Sequence, residues 1–150
     1  MEMWAMDDSY GERGAKRIGE WVTAVIGAAT CLIVPAMFLQ AGGEFPLPAL
    51  YLLEIAVVGL LVVYFVFIRH QVSERWGIVP WIAAGIMLAF VILGGFTIGL
   101  YLIPALIAFA ALGVLIDWEA GGLSIARNLG LLIVAGVAQG VVMIGATLLV

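Results

Sequence analysis

The chain has 150 residues, of which 65% are hydrophobic and 11% charged, with a net charge of −4. Its mean hydropathy of +1.24 excludes a water-soluble globular domain, in which about 25% of residues are charged. Six basic residues in all cannot build the clustered basic face of a nucleic-acid binder. At roughly 20 residues per span, the length holds about five membrane helices and leaves no room for a separate soluble domain.

Residues 1–20, MEMWAMDDSYGERGAKRIGE, are polar and interrupted by Gly11, Gly14 and Gly19. They read as a loose cytoplasmic tail or a short interfacial segment. A first span is expected at 21–40. Its apolar stretch is longer than the roughly 7–15 residues of a signal peptide and follows a long mixed-charge segment, so it reads as a retained helix. AGGEFPLP (41–48) is a Gly- and Pro-rich turn, and 49–68 is the second span, followed by a polar connection at 69–77. The apolar run 78–116 would be about 60 Å long as one helix, twice the hydrocarbon thickness. It must fold back, and GGFTIG (94–99), with Gly94, Gly95, Thr97 and Gly99, is the place for a hairpin. Spans at 78–95 and 99–117 follow, then a polar connection at 117–128 and a last span at 129–150. The expected fold is all-α, an integral membrane bundle of five transmembrane helices.

The basic residues orient this bundle. Arg13, Lys16, Arg17, Arg69, Arg75 and Arg127 are all of the Lys and Arg, and all fall on the side of residues 1–20, 69–77 and 117–128. The positive-inside rule makes that side cytoplasmic, with the N-terminus inside and the C-terminus outside. Trp4, Trp21, Trp76, Trp81 and Trp118 gather at the same level, as an aromatic belt or as a docking surface for a partner.

Small residues permit close helix contact in lipid. Gly136 and Gly140 stand in G-x-x-x-G spacing on the last span, and Ala24 and Ala28 share a face of the first. They serve packing within the bundle or self-association. Pro35 and Pro104 sit inside spans and remove backbone donors from the carbonyls of Cys31 and Leu100, making kinks or hinges. Cys31, the lone cysteine, excludes an intramolecular disulfide and reads as a small packing residue. His70 has no ligand cluster beside it, so neither metal nor cofactor is expected. Asp117 and Glu119 near Arg127 read as a solvated, partly ion-paired loop. No nucleophile elbow, H-E-x-x-H or phosphate loop occurs, which points away from an enzyme.

Glu54 is the strongest polar feature. An acid deep in a membrane helix costs roughly 2.5–3.5 kcal/mol on insertion scales, so it is expected to face the bundle interior or a cavity. Counting along the spans puts Gln139 and the freed Cys31 carbonyl at a comparable depth, and a protonated Glu54 would donate to either. Tyr51, at i−3, shares its helix face. Two readings stand open: a hydrogen-bonded clamp between helices, or a proton or cation site.

The stretches PLPALYLLE, VPWIAAG and GGFTIGLYLIPALIAFAALG resemble uncharacterised small bacterial multi-span membrane proteins, over about half the chain. The resemblance implies a bacterial cytoplasmic membrane location and no known activity. The tryptophan-rich sensory proteins carry a Trp-Pro-Pro pattern that is absent here. Small multidrug exporters place their membrane glutamate in the first of four helices, whereas Glu54 is in the second of five. The expected role is a non-catalytic accessory or scaffold subunit, or a small homo-oligomer. Its partners would be the lipid bilayer and either another membrane protein or a second copy. The alternative is a small proton-coupled transporter using Glu54.

Overall fold

The structure, a computed structural model, describes residues 5–40, 46–69, 74–119 and 125–148. All elements among the described residues are helical: α1 (Ala5–Gln40), α2 (Pro46–Ile68), α3 (Val79–Gly94), α4 (Leu100–Glu119) and α5 (Ile125–Leu148). Five helical stretches are apolar and long enough to cross a bilayer, namely Gly14–Gln40, Leu50–Ile68, Trp76–Gly94 (α3 with part of the 3-10 turn Glu74–Ile78 before it), Leu100–Trp118 and Ala126–Leu148. Leu60, Leu61, Phe67, Val141 and Val142 are all exposed. Helices apolar on every side suit a membrane, where an outward Leu meets lipid instead of water.

The N-terminal segment departs from the sequence expectation. Residues 5–20 are not a loose tail; they form the first turns of a 36-residue α1, about 54 Å long. Gly11, Gly14 and Gly19 each cost only about 1 kcal/mol in a helix, and no proline precedes Pro35 to stop it. The stretch Gly14–Gln40 is long and apolar enough to cross a membrane, and the polar turns before it extend the same rod. Trp4 lies outside the described residues.

α1 packs against α2 and α4, and α3 against α4 and α5. Small residues set the closest approaches. A Cβ at Gly59 would lie 2.6 Å from Cys31 Cβ, and one at Gly27 2.3 Å from the Phe109 ring. α3 starts at a proline-bearing first turn, for which Pro80 has the right φ. It ends at a π-helical turn, Gly95–Gly99, that reverses the chain. Gly95 has φ +47°, which disfavours any side chain there. A Cβ at Gly99 would meet the Val91 carbonyl oxygen at 2.4 Å, so the two arms are in backbone contact at the bend. The Thr97 side chain lies outside the described residues.

Phe109, Met87, Leu102, Leu112 and Ile55 form the centre of the core. α5 is peripheral, with only 6% of its apolar window buried against 33–44% for the others.

Candidate functional site: polar clusters inside the bundle

The antiparallel packing gives the bundle a charged end and a far end. At the charged end, Arg69 at the close of α2 is ion-paired with Glu20 of α1. Glu20 is buried, although the sequence places it in a polar tail. Nearby, three helices converge on one acid. Asp117 of α4 accepts from Trp81 Nε1 of α3 at 3.2 Å, and from Asn128 Nδ2 of α5 at 2.9 Å (Oδ1) and 2.7 Å (Oδ2). Trp81, Asp117 and Asn128 are all buried.

This corrects the solvated-loop reading of Asp117. The carboxylate turns inward because the bundle offers it two buried N–H donors, the Trp81 indole and the Asn128 amide. Arg127 is exposed. Trp81 also leaves the expected belt: its ring lies over Gly113, where a Cβ would stand 2.8 Å from the indole. Trp76 and Trp118 remain exposed, as belt residues would be.

In the far half, α2 and α5 are joined by polar contacts at two levels. Gln139 Nε2 donates to Glu54 Oε1 at 2.8 Å, and Tyr51 Oη donates to the Met143 carbonyl at 3.1 Å. The Thr147 hydroxyl donates to the same carbonyl at 2.8 Å. Of the two partners expected for Glu54, Gln139 is the one in contact, at Oε1, and the Cys31 carbonyl is not its partner. Cys31 is fully buried between Gly59 and Met87, with its thiol 3.8 Å from the Met87 sulfur. Beside the Tyr51 contact lies a cleft of about 370 Å³ between α2, α3 and α5, largely apolar, with Tyr51 and Thr147 on its edge.

The packing candidates separate. Ala24 and Ala28 are buried, Ala28 against Gly59. Gly136 faces Gly85, where a Cβ on Gly136 would lie 3.0 Å from the Gly85 carbonyl oxygen. Gly140 has only Leu93 Cδ1 nearby, at 3.9 Å. The tight partner of Gly136 is therefore Gly85 on α3. α1 and α4 run unbroken through Pro35, which is buried, and Pro104, which is exposed.

The sequence reading missed the Trp81–Asp117–Asn128 cluster and Gly85. A signal was present: Trp81 and Gly113 are equidistant from Thr97, so a hairpin there stacks them and brings Asp117 one turn beyond the indole. Among the described residues, no group of three or more His, Cys, Asp or Glu stands close enough to hold a metal ion.

Five apolar helices, mutually packed through small residues and pinned by buried polar contacts, define an all-helical multi-pass membrane protein. Beyond that class, no family model, no curated protein and no solved structure matches the chain.

Proposed function

We propose that the protein is a non-catalytic accessory or scaffold subunit, or a small homo-oligomer, of the bacterial cytoplasmic membrane, with its charged end in the cytoplasm. The observation that carries this reading is the Glu54–Gln139 hydrogen bond. The one acid deep in a span is engaged in holding α5 to α2. An intramembrane acid so engaged acts as a clamp, since in lipid an interhelical hydrogen bond supplies association that burial of apolar surface does not. The orientation rests on the basic residues, with Lys16, Arg17, Arg69 and Arg127 all at the charged end.

A second reading, a small proton-coupled transporter, draws on the partial exposure of Glu54 and on its second oxygen, which lies outside the Gln139 bond. One substitution separates the two. Glu54→Gln retains an acceptor oxygen for Gln139 but cannot titrate. The clamp reading expects the variant to assemble as the wild type does, by native mass and by co-purification. A variant that assembles normally but loses a proton flux shown by the wild type in vesicles would refute the clamp reading.

A further inference from the structure

We propose that the cleft between the far ends of α2, α3 and α5 holds one acyl chain of a bilayer phospholipid. The proposal stands apart from the role of Glu54. At about 370 Å³ the cleft falls within the range of roughly 300–1,000 Å³ typical of ligand pockets. Counting roughly 30 Å³ for each water-sized group, it takes about a dozen methylenes, most of one chain. Leu52, Ile55, Phe90, Leu93, Ile98 and Ile144 supply apolar walls. Leu93 and Ile144 are 44% and 53% exposed and stand at the mouth, toward the surrounding bilayer.

Depth selects the occupant. The lining residues lie toward the far ends of their spans, with Tyr51 next to the start of Leu50–Ile68, Gly94 at the close of Trp76–Gly94 and Thr147 beside the close of Ala126–Leu148. The cleft therefore begins at the boundary between headgroups and chains and runs inward among apolar residues. Its polar edge suits that boundary. The Tyr51 and Thr147 hydroxyls both give their protons to Met143, so each keeps oxygen lone pairs but no free proton. Lys16, Arg17, Arg69 and Arg127 are at the opposite end, so none of them reaches a phosphate here. Recognition is by the chain, and retention should not depend on headgroup charge. The hydrogen bonds to Met143 and from Gln139 hold α2 and α5 across the cleft without closing it, leaving a concave seat unlike the convex lipid-facing helix surfaces.

The test uses the full chain in phosphatidylcholine vesicles doped with phosphatidylcholine carrying a diazirine within one acyl chain. After irradiation, labelled residues are mapped by mass spectrometry. Label should concentrate on Leu93, Ile98 and Ile144, several-fold above Val141 and Leu60 on open lipid-facing surface. Ile144→Trp, and separately Leu93→Trp, fill the mouth from exposed positions. Both should bring label at Ile98 down to the Leu60 level, with labelling of Val141 unchanged and the helical circular dichroism and thermal unfolding of wild type showing the fold intact. Equal labelling of cleft and open surface, or label at Ile98 that persists in a folded variant, would overturn the proposal. So would preferential labelling by a diazirine free fatty acid over the phospholipid probe, which would make the occupant a free acid. Replacing phosphatidylcholine by phosphatidylglycerol should leave the pattern unchanged; a several-fold change would show that the headgroup is recognised.

Discussion

Gly85→Ala is the sharpest probe of how α5 is held. A Cβ added at Gly85 would stand 2.3 Å from the Leu132 carbonyl oxygen, 2.9 Å from Ala135 Cβ and 3.1 Å from the Gly136 amide nitrogen. Ordinary contacts are near 3.5 Å, so α5 must retreat by about 1 Å, which forfeits a quarter to a half of the dispersion energy of the contacts it opens. Overpacking costs about 1–3 kcal/mol, and a clash with backbone instead of a flexible side-chain tip belongs at the upper end. Alanine returns about 1 kcal/mol of helix propensity, leaving a net loss of about 2 kcal/mol. Gly140→Ala is the control. Its Cβ would meet only Leu93 Cδ1, at 3.9 Å, so it should be neutral or slightly stabilising. Gly136→Ala, 3.0 Å from the Gly85 carbonyl oxygen, should fall between them. Equilibrium unfolding in mixed micelles, followed by tryptophan emission, ranks the three. Gly85→Ala as stable as wild type, or Gly140→Ala as damaging as Gly85→Ala, would refute the close α3–α5 contact.

Glu54→Leu removes the acceptor of Gln139, which is 9% exposed, and should cost about 0.6–2 kcal/mol, the range for interhelical hydrogen bonds in membranes; the same unfolding measurement should find Glu54→Gln close to wild type. Asp117→Leu leaves the Trp81 and Asn128 donors without their carboxylate and should cost about 1–3 kcal/mol, with a change in tryptophan emission. Reporter fusions after residue 150 should be active outside the cytoplasm and fusions after residue 72 inside it; a cytoplasmic signal at 150 would contradict five spans with the charged end in the cytoplasm.

The helices were legible because a run of about 20 apolar residues has few alternatives. The hairpin was legible because 78–116 is too long for one crossing, and three glycines mark where it bends. Depth counting brought Glu54 and Gln139 to one level, and the structure joins them. Which face of each helix turns inward was not legible. A soluble helix reveals its buried face by polar–apolar periodicity, but a span bordered by lipid is apolar all round, so Gly85 looked no different from Gly140. The polar residues at the span ends misled for a related reason. Asp117, Asn128 and Glu20 border connections, where water is the default partner, and only the three-dimensional convergence of α3, α4 and α5 shows that Asp117 has protein donors instead. The helical start of α1 was hidden by glycines that weaken a helix without ending it.

Asp117 and Glu54 do the same work at different depths. Asn128 and Gln139 are about three helical turns apart on α5, so both amides face the bundle from one side of the helix. Each donates to a side-chain carboxyl group on a different neighbour, Asp117 on α4 and Glu54 on α2. Between them Gly136 meets the backbone of Gly85 on α3. α5 buries little area, and apolar area gives no preference for protein over lipid in any case. What fixes it is directional: hydrogen bonds at Asn128 and Gln139 and, between them, a backbone contact at Gly136 that no other register or rotation reproduces. Sliding α5 by one turn would bring the amides opposite apolar residues and separate Gly136 from Gly85. The acids are therefore matched to the helix with the least buried surface, where directional contacts have the most to decide.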